Sequence, residues 1–329
     1  YTMTPQDAMA FFEGLGVPLK TERGNRVFPV SDRAMDIADA LVRFARQGGV
    51  QITQGTADGL LRDGAVTGVR TGAGEEYFAP LTILATGGKS YPATGSDGSG
   101  YALAAAAGHT IIPPRASLVP IICENTDKQF SALMGLSLRN VTLNLIQKKN
   151  GKVLYSELGE MLFTHFGISG PLALTASSYM ENPTDYRITV DCKPGLSAEQ
   201  LDARLLRDFG ESPNRAFGNA LEALLPRSLI PVVVAKSGIP GDRRVNQLTR
   251  EDRQRLGALI KAFPLTPQAL RPIEEAVITA GGVSVKEIDP RTMQSRLVKG
   301  LAFAGEVMDV DAVTGGYNLQ IAGSTGYLA

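Results

Sequence analysis

Gly305-Glu306-Val307-Met308-Asp309-Val310-Asp311 and, just after it, Thr314-Gly315-Gly316-Tyr317-Asn318 are the residues best placed to do chemistry. They follow a short apolar run, Leu301 to Ala304, that reads as a buried strand. A pattern of Leu319, Ile321, Ala322 and Leu328 behind them reads as a helix opening near Asn318. A strand ending in glycine and a carboxylate, then a glycine loop, then a helix N-terminus, makes a polar pocket. Unpaired amides and the dipole at that helix end favour partial negative charge, such as a phosphate or a ring oxygen. Gly315 and Gly316 let the backbone approach a flat ring closely. By itself such a turn is also an ordinary tight connection.

A second glycine-rich stretch, Gly87-Gly88-Lys89-Ser90-Tyr91-Pro92 through Gly95, Gly98 and Gly100, follows a compact apolar strand at Leu81–Ala85. It leads into an Ala-rich helix capped at Asp97 or Ser99. The glycine spacing is wrong for a dinucleotide fingerprint, which needs a short turn directly from strand to helix. What survives is a pliant backbone beside a helix N-terminus. The two histidines divide: His109 suits a cationic or capping role at a helix end. His165, among Phe163, Thr164, Phe166 and Gly167, is either a loop histidine or an acid/base group. Arg26 and Arg139 are either solvated or able to grip an anion, and Tyr91 and Tyr317 either stack on a ring or fill space. Cys123 and Cys192 read as small packed hydrophobes, too far apart for a redox pair or zinc cluster.

The elements that position these residues are legible in outline. Residues 4–16 form a helix capped by Thr4, with Pro5 at its first position. Ser31 caps a second helix, which Gly48-Gly49 ends. Residues 49–57 are a strand candidate, and a hairpin turns at Asp63-Gly64, with a further strand pair turning at 72–74. After Pro113-Pro114 the composition changes to several strands up to Cys192, turning at 148–152, with a helix near 169–180. Residues 197–263 carry helical periodicity interrupted by prolines, and 276–285 return to strand character. Length fits about two domains of ~100–200 residues. The balance of 33 basic and 33 acidic residues gives no strong nucleic-acid signal. No apolar run approaches the ~18 residues of a membrane span, and reduced thiols suit a cytoplasmic location.

Leu84-Ala85-Thr86-Gly87-Gly88 with Ser90-Tyr91-Pro92 and Thr94 to Gly98, the run GEMLFTHFGISGP at 159–171, TAGGV at 279–283, and Phe303 to Asn318 together resemble one group of FAD-dependent oxidoreductases. This is the aminoacetone-oxidase-like and bile-acid-reductase-like family, long described as conserved hypothetical flavoproteins. The resemblance runs along the whole chain. It implies an α/β fold (α+β overall): an FAD/NAD(P)-binding flavoprotein core at 1–115 and 272–329. A β-rich, barrel-like insert at 116–195 and a helical insert at 196–271 would interrupt that core.

It also implies roles for particular residues. Thr86, Gly87 and Gly88 stand where the family's turn passes the cofactor, and Gly305 and Glu306 stand at the second flavin signature. Glu306 is longer than the usual aspartate there, which leaves open whether it or Asp309 makes the ribityl and pyrophosphate contact. Gly315, Gly316, Tyr317 and Asn318 approach the isoalloxazine, and the strand near Thr56-Ala57 offers backbone groups to adenine. Tyr317, Asn318 and His165 are the candidate catalytic residues; no metal is implied. The expected reaction is hydride transfer between a small organic substrate and flavin N5, with NAD(P)H or oxygen as redox partner. The alternatives are a flavoprotein of the tRNA-modifying type and a non-catalytic binding or interaction domain on the same scaffold.

The sequence departs from the family at one point. No strand with a Gly-x-Gly-x-x-Gly turn and pyrophosphate-binding helix is present. The expectation is a fragment lacking that unit, which binds FAD weakly or not at all.

Overall fold

Thr4 starts the first helix as its sequence requires: its side chain and that of Asp7 close a capping box over α1 (Pro5–Gly14). The computed structural model describes residues 3–22, 24–125 and 129–329. After α1 come the hairpin β1 (Leu19–Glu22) and β2 (Arg26–Pro29), then α2 (Ala34–Gln47). Ser31 is not the cap of α2. Arg33 holds that position without a side-chain bond, and Ser31 Oγ instead donates to Asp36 Oδ2 at 2.6 Å, bracing the approach to the helix. Residues 50–56, expected as a strand, are irregular, and the strand begins only at Ala57. An apolar, β-branched run does not form a strand unless a neighbour takes its backbone groups. β3 (Ala57–Asp63), β4 (Ala65–Thr71) and β5 (Glu76–Phe78) make an antiparallel sheet, turned at Gly64 as Asp63-Gly64 dictates. β6 (Thr82–Leu84), α3 (Ser99–Ala106) and β7 (Ile111–Ser117) follow.

Residues 118–272 then form a compact unit of their own. Its elements are β8 (Ile121–Cys123), α4 (Gln129–Leu133), β9 (Ser137–Gln147), β10 (Val153–Phe163), β11 (Gly167–Ser169), α5 (Pro171–Ser178) and β12 (Tyr186–Asp191), then α6 (Ala198–Glu211), α7 (Phe217–Ala220), α8 (Ile230–Ser237), α9 (Arg250–Lys261), β13 (Phe263–Leu265) and β14 (Pro267–Leu270). The strands are ordered β13-β12-β9-β10-β11-β8-β14, with every pairing antiparallel. Its two edge strands are separated in sequence by Thr266 alone, so the sheet must curl until its edges meet, as in a barrel. One hydrophobic core runs through both the strands and the helices of this unit, from Ile121 to Leu265.

The other unit, residues 1–117 and 273–329, is completed by β15 (Ile278–Val283), β16 (Leu301–Phe303) and α10 (Tyr317–Leu328). β15 pairs antiparallel with β7, Ser117 opposite Ile278. β16 pairs parallel with β6, a contact between segments more than two hundred residues apart in the chain. The fold is a mixed α/β one with a parallel strand pair at this point. The core of this unit gathers Leu84, Tyr101, Leu103, Val283, Leu301, Phe303 and Val307. Among the described residues no helix is long and apolar enough to cross a membrane.

Candidate functional site

The parallel register, Leu301 opposite Thr82 and Phe303 opposite Leu84, carries β6 and β16 to their ends side by side. The Ala304 amide extends the pairing by donating to the Leu84 carbonyl at 3.0 Å. The turn after β6, Thr86-Gly87-Gly88, therefore lies next to the turn after β16, Gly305-Glu306. Carboxyl ends of parallel strands are where open α/β sheets bind ligands, because the strand-to-helix loops gather there.

Thr279, on β15, joins the two turns. Its backbone N–H donates to Glu306 Oε1 at 2.7 Å. Its Oγ1 accepts from the amides of Lys89 and Ser90 at 2.8 and 3.2 Å and lies 3.0 Å from Ser90 Oγ. Gly88 is wedged between them: a Cβ there would collide with Thr279 Oγ1 and stand 2.7 Å from Glu306 Oε1. The glycine loop is thus packed rather than slack. Gly100, in the first turn of α3, covers Thr86 so closely that any side chain would strike the threonine hydroxyl. Asp97 Oδ1 accepts the Ser99 amide at 2.9 Å, while the N-cap position of α3 belongs to Gly98.

After Glu306 the chain runs beside β15, where the Asp309 amide donates to the Val283 carbonyl at 2.8 Å. Asp311 Oδ2 accepts from Ser117 Oγ at 2.9 Å. Asn318 closes the following loop on itself, its Oδ1 accepting from the Ala312 amide and its Nδ2 donating to the Ala312 carbonyl, both at 2.8 Å. α10 begins at Gly316, which takes the left-handed conformation (φ 89°) and leaves the helix end without a side-chain cap. Its first amides therefore face outward without intrahelical partners. Tyr317 is exposed and folds its ring over Gly315. The turn and helix are locked together by Gly305 N–H donating to Thr325 Oγ1 at 2.9 Å.

Two hydroxyls in this unit are buried without a hydrogen-bond partner, Thr86 Oγ1 and Tyr101 OH. Tyr101 follows Gly100 and packs against Gly282 and the core beneath Val307. Burial, and secondarily the Glu306 charge, push its phenol up to about 12, so it stays protonated and acts as a donor.

The structure thus gathers Thr86, Gly87, Gly88, Gly305 and Glu306 into one corner, with Asp309 and the loop of Gly315, Gly316, Tyr317 and Asn318 continuing from it. Ala57 opens β3, in the antiparallel sheet of the same unit, paired with Thr71. His165 belongs to the other unit. It is exposed at the tip of the turn between β10 and β11, edge-on to Phe166 with ring centroids 5.0 Å apart. Sequence reasoning passed over Thr279, Gly100 and Tyr101 as site residues. Thr279 sits in a recognised motif, but its part in the corner comes only from the pairing of distant segments. Among the described residues no cluster of His, Cys, Asp and Glu suits a metal ion.

The family model HI0933-like protein Rossmann domain matches residues 1–329. The chain is 31% identical to a 3-dehydro-bile acid delta(4,6)-reductase of Clostridium scindens, over 98% of this chain and 78% of that protein. It is 38% identical to a ribosomal RNA dihydrouridine synthase of Haemophilus influenzae and 34% identical to one of Escherichia coli. Each of those two matches covers 74% of this chain and spans 58% of the relative's length.

Proposed function

The chain belongs to the HI0933-like family, and on that premise we propose that the protein is an FAD-dependent oxidoreductase that reduces a carbon–carbon double bond conjugated to a carbonyl group. The observation that carries this reading is the corner itself: two parallel strands ending abreast, their turns tied through Thr279, with Gly88 and Gly100 leaving no room for side chains. Partnerless buried hydroxyls and an uncapped helix end in that unit suit a large polar cofactor.

Thr86 to Gly88, Gly305 and Glu306 are the residues that would hold the cofactor, with Gly315 to Asn318 beside its ring and Ala57 toward the adenine. When bound, the flavin supplies two-electron hydride chemistry, with NAD(P)H as the reductant. The chain's own part is to fix position and charge. Asn318 holds the 312–318 loop in shape, and the amides opening α10 stabilise partial negative charge near them.

The relatives' names narrow the substrate class. A delta(4,6)-reductase of a 3-dehydro-bile acid and a dihydrouridine synthase both add hydrogen across a double bond conjugated to a carbonyl. In such a reaction a hydride goes to the carbon β to the carbonyl and a proton to the α carbon. We favour a small organic enone, because the relative aligned over nearly the whole chain is named for one. The second reading, a uridine in RNA, is favoured by the higher identity to the two synthases.

The test is anaerobic. The full-length protein, loaded with FAD and reduced by NAD(P)H, is mixed with a cyclic enone, a 3-oxo-Δ4 steroid or unmodified ribosomal RNA. Return of the oxidised-flavin band with an enone supports the first reading, and its return only with RNA supports the second. A protein that takes up no flavin sinks both.

A further inference from the structure

Tyr101 is the one large side chain of the site's unit whose polar atom is buried, at 6% residue exposure, with nothing to bond to. Natural proteins pair more than about nine in ten of their buried polar groups. An orphan of this kind is a cost that a ligand can remove. Its setting says what that ligand must offer. The ring lies against Gly282 and beneath Val307, and Val307 directly follows Glu306. Glu306 has one oxygen committed to the Thr279 amide, and Oε2 takes no hydrogen bond from the described residues. A donor and an anionic acceptor therefore lie in one neighbourhood.

We propose, resting on the flavin reading above, that Tyr101 is a cofactor-positioning residue whose hydroxyl donates to a hydroxyl of the cofactor's polyol chain while Glu306 accepts from that same hydroxyl. A phosphate does not fit there, because it has no proton to give the carboxylate and meets its charge instead. A ring carbonyl satisfies the tyrosine but leaves Glu306 unpaired. A polyol hydroxyl both donates and accepts, and so satisfies both.

The experiment titrates FAD, riboflavin and lumiflavin, which lacks the polyol chain, into full-length wild type and Tyr101→Phe, following flavin fluorescence. The thermal midpoint of the cofactor-free protein is measured alongside. In wild type, riboflavin binds more tightly than lumiflavin. Tyr101→Phe weakens FAD and riboflavin about 3- to 30-fold and leaves lumiflavin unchanged. The cofactor-free midpoint does not fall, since the lost hydroxyl had no partner.

Equal affinity of wild type for riboflavin and lumiflavin overturns the proposal without any variant. So does a lowered cofactor-free midpoint with riboflavin affinity intact, which marks a partner inside the protein. Failure of wild type to bind any of the three flavins is a different result, and it removes the flavin reading itself.

Discussion

Glu306 Oε1 accepts the backbone N–H of Thr279 at 2.7 Å. That bond links a residue just past β16 to a residue within β15. Because Thr279 Oγ1 also takes the Lys89 and Ser90 amides, three chain segments depend on one threonine.

Thr279→Val keeps the shape and removes the acceptor. The Lys89 and Ser90 amides then lose their partner, at a cost of about 1–3 kcal/mol, while Thr279→Ser costs far less. Urea unfolding of the two variants checks this, and equal midpoints would show that the hydroxyl is idle.

Gly88→Ala drives a methyl group into Thr279 and Glu306. Overpacking of this kind costs about 1–3 kcal/mol. Flavin affinity falls with it, because relief comes only by separating the two turns. A thermal melt together with a flavin titration measures both effects.

Asn318→Asp keeps an acceptor for the Ala312 amide but sets a carboxylate against the Ala312 carbonyl, where Asn318 donated. The loop at 312–316 loosens, with a loss of about 1–3 kcal/mol. Faster amide hydrogen exchange across those residues is the expected readout, and unchanged protection contradicts it.

His109 is buried, with Nδ1 3.1 Å from Glu287 Oε2 and Nε2 2.8 Å from Ser295 Oγ. The helix-end cation that the sequence suggested is instead a core histidine. Burial drives its imidazole below the ordinary value, against the pull of Glu287. Below about pH 6.5 the unfolded chain therefore binds more protons than the folded one, and stability falls as the pH drops. Hydrogen bonds from Thr110, foremost, hold the Glu287 carboxyl low as well, and that contribution is lost only in stronger acid. Melting temperatures from neutral to mildly acidic pH should decline in wild type and flatten in His109→Gln.

Cys123 and Cys192 are buried and free, and burial pushes both thiols up to about 12. Thiolate is the reactive form, so neither reacts with a disulfide reagent in the native protein at mildly alkaline pH. Both react promptly in denaturant. Rapid native labelling of either would show that its surroundings open.

What the sequence revealed was local. Thr4 with Pro5, Asp63-Gly64 and Thr249 before Arg250 each specify a cap or turn from adjacent residues, and each is found in place. The Ser31 cap and the strand at 50–56 failed because both depend on what the backbone meets elsewhere. The candidate site was half legible for the same reason. Glycines and acids at the ends of β6 and β16 stand out in the sequence. The roles of Thr279, Gly100 and Tyr101 exist only after β15, β16 and α3 have been brought together from opposite ends of the chain.

The strands that flank residue 118 and residue 272 are each paired with their counterpart. β7 lies against β15, and β8 against β14, with Ile121 opposite Leu270. Departing and returning chain therefore travel together, like the two sides of a stem. To the parent sheet the entire intervening unit is nothing more than an enlarged hairpin loop. Evolution can lengthen, exchange or delete such a loop in one genetic step, because the ends it leaves behind are already neighbours.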